Sequence, residues 1–324
     1  MTSRWLVLAA AALLVAGVVV PAGAQVRLLS LVTGGTAGVY FPLGGAMAEI
    51  WNARVPNVRV ASQSSGASVV NIQALARGDA HLALVQNDIA YYAQHGTEVF
   101  AEPGSNRPRP IAGISGIAML YPETIQIVTL RGKGIRSVED LRGKRVVVGA
   151  PGSGTEANAR QILQVHDIYY RELRVDFLSF AAGIDQLRDG IVDAVFLTAG
   201  VPTAAVTDIA ASRDIVIVPV SNEALAALRA RWPFYTRHVI PANTYRGQTE
   251  PVATVAVMAM LVARADLPED LVYHLTKALW ENLDRMRAAH ARGRDLDLAK
   301  ALDGMPIPVH PGADRYYRER GVRK

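Results

Sequence analysis

The sequence predicts a mixed α/β protein of two lobes with a cleft between them. Three observations lead there. Strand-like and helix-like segments alternate in two successive runs. A late apolar stretch, Val252 to Ala263, is placed to carry the chain back to the first run. Four turns rich in glycine and small residues each join a strand to a helix. Such alternation covers both faces of a largely parallel sheet with helices. Ligands of such sheets bind at the carboxyl ends of the strands.

In the first run, "VRLLSLV" (Val26 to Val32) reads as a strand and Gly38 to Trp51 has helical spacing. "VRVASQ" begins a second strand, and Ser68 to Gly78 reads as a helix closed by a glycine C-cap. "HLALVQ" is a buried strand with "NDIAYYAQHG" as the helix behind it. The second run starts near Ile125 with the strand "IQIVTL". A short helix "SVEDLRG" capped by Ser137 follows, then the strand "RVVVGA" and a helix from Thr155 to Val165. "LRVDFL", a helix from Ala181 to Asp189 and "DAVFLT" complete that lobe. After "DIVIVPV" the chain is expected to return to the first lobe. "LPEDLVYHLTKALWENLDRM" then forms one long helix, with Pro268 near its first turn and Leu271, Leu275, Leu279 and Leu283 on one stripe. The expected limits are 25–120 plus 214–324 for the first lobe and 121–213 for the second.

Before this stands Arg4, an apolar run from Trp5 to Val20, then Pro21 and Ala22-Gly23-Ala24. These are the parts of a secretory signal peptide over residues 1–24, with cleavage after Ala24. The run is shorter than the roughly 20 residues that span a bilayer. A retained anchor is the other reading. The 324-residue chain has no cysteine, which excludes disulfides, thiolate catalysis and cysteine-held metals. A net charge of +5, spread without a basic run interleaved with aromatics, argues against nucleic acid.

The four turns are "GGTAGVYFP", "SQSSGASV", "GAPGSGTEANAR" and "LTAGVPTAAV". Helix starts expose unpaired amides and a partial positive charge, so several such turns on two lobes could converge on one anion. Each could equally serve only as a strand-to-helix connector. A phosphate loop is excluded, because Lys144 follows Gly143 without the Ser or Thr or the upstream glycine that the motif requires. Gly34, Gly35 and Gly38 miss the dinucleotide register. Ser115 and Ser153 miss G-x-S-x-G, and the seven histidines form no ligand pair. No catalytic residue, cofactor or metal is expected. Asp88, Glu123 and Glu156 read either as contacts to an ammonium or hydroxyl of the ligand or, for Asp88 and Glu156, as helix-start carboxylates.

The stretches "GGTAGVYFPLGGAMAEIWN", "LALVQNDIAYYA", "LYPETIQIV", "SVEDLRGKRVVVGAPGSGTE", "LSFAAGIDQLRDGIVDAVFLTAG" and "ARADLPEDLVYHLTKALWENL" resemble, in order, the TAXI family of TRAP transporter solute-binding proteins. The resemblance runs from Leu28 to about Leu283. It implies the two-lobed fold of periplasmic binding proteins (type II, Venus-flytrap). It also implies a periplasmic receptor that closes on a small organic acid or acidic amino acid and hands it to an ion-coupled TRAP-type permease. Ala37 stands where the family usually has a second glycine, which narrows the expected pocket, and Phe41 where it usually has Tyr, which removes a hydroxyl. The expected ligand-binding residues are Thr36, Tyr40, Ser65, Ser68, Gln86, Ser153 and Thr155, backbone at Ala37, Gly66 and Gly154, and Asp88, Glu123, Glu156, Thr198 and Gly200. Gln86 carries weight because it ends a buried strand where packing alone would place an apolar residue. A monomer is expected. An exported hydrolase or lyase using Ser153 or Glu156 is the alternative, and a stand-alone periplasmic sensor is a third reading.

Overall fold

The computed structural model of the chain describes residues 26–105 and 107–323. The signal-peptide and cleavage expectations lie outside them. β1 (Arg27–Val32), β2 (Val58–Gln63) and β3 (Leu82–Gln86) are parallel neighbours linked by α1 (Tyr40–Arg54) and α2 (Ser68–Arg77), and α3 (Asn87–His95) leaves the end of β3. α1 lies against the sheet at a distance only glycine permits. A Cβ on Gly44 would stand 2.4 Å from Thr33 Cγ2. Its apolar face, with Leu43, Met47, Ile50 and Trp51, is buried.

β4 (Ile114–Leu130) then runs for 17 residues, about 55 Å of extended chain. The sequence reading began this strand at Ile125, because Gly116 and Pro122 interrupt the β pattern upstream. Each has a reason in the packing. A Cβ on Gly116 would meet Met305 Sδ at 2.3 Å, so the glycine admits the C-terminal segment. Pro122 falls where the ladder of β4 is already irregular, the usual place for a proline inside a sheet.

The second lobe adds β5 (Arg145–Val147), α4 (Gly154–Val165), β6 (Arg174–Asp176), α5 (Phe180–Arg188), β7 (Ala194–Ala199), α6 (Ala204–Ser212), β8 (Ile215–Val218), α7 (Asn222–Arg231) and β9 (Thr236–Ile240). "SVEDLRG" forms one 3-10 turn, Glu139–Leu141, rather than a helix capped by Ser137. The Asp140 carboxylate instead accepts from the amides of Arg136 and Ser137, at 2.8 and 2.9 Å. β10 (Val252–Arg264) then returns antiparallel to β4, from Ala256 opposite Thr124 to Arg264 opposite Ile114. The strand order is β2-β1-β3-β10-β4-β7-β5-β6, with β8 also on β4 and β9 also on β10.

Only the C-terminal half of β10 pairs with β3. β8 pairs with Ile127–Leu130 of β4, and β9 pairs with Val252–Ala256 of β10. The chain therefore stays with the second lobe past residue 213, and we propose that this lobe covers residues 125–255. The expected long helix is two, α8 (Glu269–Trp280) and α9 (Leu283–Ala289). Between them Asn282 leaves the helical region, its side-chain amide held by the Ala278 carbonyl and its oxygen by Arg54. α10 (Pro311–Glu319) folds back on α8, and the Tyr317 hydroxyl donates to the Ile117 carbonyl at 2.8 Å while accepting from Trp280.

Trp51 is fully buried and its indole N–H donates to the Leu275 carbonyl at 2.9 Å, tying α1 to α8. Trp51→Ala is expected to lower the free energy of unfolding by about 3–5 kcal/mol, through the cavity and the lost hydrogen bond. Urea unfolding of the two proteins measures it.

Candidate functional site

A cavity of about 140 Å3 lies where the two lobes meet. Four helix starts form most of its wall: Gly38-Val39-Tyr40 of α1, Gly66-Ala67-Ser68 of α2, Ser153-Gly154-Thr155 of α4 and Ser179-Phe180 of α5. Each helix leaves the carboxyl end of a strand, so the sheet edge itself aims their partial positive charges inward. Among the described residues, the amides of Ser68, Gly154 and Thr155 donate to no protein acceptor. The remaining wall comes from strands: Gln86 at the end of β3, Glu123 in the middle of β4, and Thr198 and Ala199 at the end of β7. Among the described residues neither lysine nor arginine lines it.

The lobes touch around this cavity. The Gly152 carbonyl accepts from Val69 and Val70 N–H, both at 3.2 Å, and the Ala37 carbonyl accepts from Ala205 N–H at 3.3 Å. Gly154 sits directly on Gln86, where a Cβ would fall 1.9 Å from Oε1. Beside them Ala67 holds φ 69° and ψ −152°, a region nearly reserved for glycine. Such backbone strain costs on the order of 1–3 kcal/mol and clusters at functional sites.

Of the residues expected from the sequence, Tyr40, Ser65, Gly66, Ser68, Gln86, Glu123, Ser153, Gly154, Thr155 and Thr198 come together on this wall. Their hydroxyls differ in what they have left to offer. Ser65 Oγ donates to Asn71 Oδ1 at 2.6 Å and accepts from Ala67 N–H, so it holds the loop. Ser153 Oγ caps α4 by accepting from Glu156 N–H and gives its proton to the Ala150 carbonyl at 2.8 Å. Ser68 Oγ accepts from Gln86 N–H and Thr155 Oγ1 from Thr198 N–H. Thr155 keeps its proton for an acceptor in the cavity, while the Ser68 hydroxyl is turned toward the Tyr40 oxygen.

Gln86 is an acceptor in want of a donor, and Glu123 is a buried acid on the same wall. Gln86 is 2% exposed and its Oε1 has no partner among the described residues. Glu123 is buried, and its Oε2 accepts from the Tyr40 hydroxyl at 2.6 Å. Burial pushes the Glu123 carboxyl well above the ordinary carboxylate range, while the Tyr40 hydrogen bond pulls the other way. A donor on a ligand would stabilise both.

Five expected residues lie elsewhere. Thr36 and Ala37 border a depression outside the cavity, while Gly34, Gly35 and Gly38 of the same loop line the cavity itself. Gly200 is needed for packing, since a Cβ there would stand 2.5 Å from Arg292 Cγ. Glu156 is a helix-start carboxylate turned away, accepting from the Tyr170 hydroxyl at 2.7 Å and pairing with Arg160. Asp88 is fully buried behind the cavity in the first turn of α3, bonded to Asn158. The hydrolase alternative loses both its groups, since Ser153 is spent on a cap and Glu156 faces outward. The sequence reading missed Ser179 and Phe180. "LSFAAG" has the same small polar residue between strand and helix, and only its lack of an early glycine hid it.

Gly154→Val places methyl groups where Gln86 stands. It is expected to keep the wild-type circular dichroism spectrum and to increase the radius of gyration measured by small-angle X-ray scattering. Adding Gln86→Ala should reverse the expansion.

The fold recurs in solved structures of low sequence identity. PhnD1 from Prochlorococcus marinus, in complex with methylphosphonate, matches with TM-score 0.53 at 12% identity, over 92% of this chain and 100% of that one. The alkanesulfonate-binding protein SsuA from Xanthomonas axonopodis pv. citri, bound to MOPS, matches with TM-score 0.50 at 14% identity, over 93% and 85%. A putative L-cystine ABC transporter protein from Listeria monocytogenes matches with TM-score 0.50 at 13% identity, over 84% and 98%. At these identities the likeness is one of fold, the two-lobed type II fold of periplasmic binding proteins. Sequence comparison adds the family: residues 31–321 match the NMT1-like family, and the chain belongs to it.

Proposed function

We propose that this protein is an exported, monomeric solute receptor of a TRAP transporter of the TAXI type. It captures a small organic acid or acidic amino acid between its lobes and delivers it to an ion-coupled permease. The observation that carries the reading is the convergence of four helix starts on one cavity whose wall, among the described residues, has no basic side chain. Amides and helix dipoles there can neutralise a carboxylate without a salt bridge. The TAXI assignment and the permease rest on the sequence resemblance alone, as does placement in the periplasm together with the N-terminal apolar segment. Among the described residues no helix is long and apolar enough to cross a membrane.

The volume limits the ligand. A 150 Å3 cavity holds a benzene-sized molecule, so about 140 Å3 restricts the ligand to a small acid. Gln86 Oε1 and Glu123 add a preference for a ligand that also carries N–H or O–H donors. That favours glutamate-like ligands over 2-oxoglutarate-like ones. Affinity in the micromolar range needs about −8 kcal/mol, more than one charge-assisted hydrogen bond of about 1.5–3 kcal/mol supplies. Donors from both lobes are therefore required at once.

Thermal-shift screening of the mature chain is expected to select short dicarboxylates and acidic amino acids. A ligand at a hundredfold excess over Kd adds about 2.7 kcal/mol of stability. Sugars or nucleotides shifting the melting point while every acid is silent would overturn the reading. Glu123→Gln should weaken an amino-acid ligand by about tenfold to a hundredfold and leave a ligand without an amino group nearly unchanged, as measured by calorimetry.

A further inference from the structure

Asp88 is a buried carboxyl that the cavity does not use. It belongs to α3 in the first lobe, and its partners belong to the second. Asn158 Nδ2, on α4, donates to Asp88 Oδ2 at 2.9 Å and to the Tyr235 hydroxyl at 3.0 Å. Tyr235 donates to Gln161 Oε1 at 2.6 Å, and Gln161 Nε2 donates back across the interface to the Tyr92 hydroxyl at 3.1 Å. Asp88, Asn158, Gln161 and Tyr235 are all fully buried. The chain of bonds alternates between α3, α4 and the segment leading into β9. Separating the lobes would break it.

The charges around it do not favour an ionised Asp88. Glu98 stands beside it and Glu123 faces it from β4, both acidic. The nearby cation, Arg160, is shared between Glu98 and Glu156. Among the described residues Asp88 takes part in no ion pair, so its charge would be met by dipoles alone, the Asn158 amide and the backbone N–H groups of Ile89 and Asp88 itself. Dipoles compensate a desolvated charge incompletely. In an opened cleft the same carboxylate would meet water and ionise in the ordinary range.

We propose that Asp88 is a proton-binding site built into the lobe interface: closing the lobes takes up a proton on its carboxyl, and opening them releases it. The inference concerns lobe movement and does not depend on which ligand the cavity holds. Burial pushes the carboxyl up to about 7 in the closed arrangement, against the pull of hydrogen bonds from the Asn158 amide and from the Ile89 and Asp88 backbone N–H groups. The sign follows. Below about pH 4 the carboxyl is neutral whether the cleft is open or closed, and closing is most favoured. As pH rises toward about 7 the open form loses its proton first, and closing weakens by up to tenfold per pH unit. Above that both forms are ionised and the dependence levels off. Glu123 shifts in the same direction, so the wild-type slope contains both groups and the Asp88 share must be read by difference.

Small-angle scattering of the ligand-free full-length mature protein, from about pH 5 to about 9, reads the balance of compact and extended forms. Trp232, whose indole donates to Glu98 Oε1 at 2.8 Å beside the cluster, supplies a fluorescence reading of the same change. The compact form is expected to gain as pH falls below about 7, and Asp88→Asn should reduce that slope by one proton. Should Asp88→Asn fail to fold, carbon-13 titration of the Asp88 carboxyl in the wild type decides alone, an ionisation near 7 in the compact protein being the expected result. Equal slopes in wild type and a folded Asp88→Asn, or an Asp88 that ionises in the ordinary carboxylate range in the compact protein, overturn the proposal.

Discussion

The antiparallel pairing of β4 with β10 is the constraint from which the rest of the molecule follows. Both strands are long enough to serve both lobes at once within one sheet, and their pairing across Thr124 and Ala256 holds the two lobes edge to edge. Where they cross, the ladder is irregular. Pro122 brings no amide, the register shifts between Met258 and Met260, and the Met258 amide turns to Asn87 Oδ1 at 2.9 Å. A regular ladder there would be stiff and would leave no room for a polar group. The irregular one places Glu123 one residue beyond the proline, on the wall of the cavity.

That placement sets the electrostatics. Parallel strands on either side of the crossover all end at the same edge, and each sends a helix away from it. The cavity is therefore lined by helix starts without any residue having been chosen for charge. Fixed backbone dipoles act in a recessed site between the lobes, where they act more strongly than in bulk solvent. The acidic groups near the crossover have the opposite problem. Glu123 and Asp88 are buried without cations, and burial shifts both carboxyls upward. One faces the cavity and the other the lobe interface, so ligand occupancy and lobe contact act on neighbouring buried carboxyls.

The glycines divide by what a Cβ would meet. Gly44 lets α1 reach the sheet, Gly116 admits the C-terminal segment, and Gly154 lets the second lobe touch Gln86. Gly35 and Gly45 have open space around them. A glycine-rich sequence thus mixes packing and ligand-facing positions, and only the neighbours tell them apart.

The alternation of strands and helices, the two lobes, the returning strand and ten of the cavity residues could be read from the sequence, because each depends on local pattern: periodicity, caps, and small residues where a strand meets a helix. Gln86 was legible for the same reason, as a polar side chain ending an apolar strand. The tertiary structure alone decided what depends on distant neighbours. The strand before Ile125 is strand only because β10 and the C-terminal segment cover its glycine and proline. Asp88 and Glu156 look alike in sequence, as acids in the first turn of a helix. One was carried into an interlobe cluster by α4, and the other was turned outward by Tyr170 and Arg160. Local pattern places a carboxylate at a helix start. Which way it faces is fixed by the elements that pack against that helix, and these are far away in sequence.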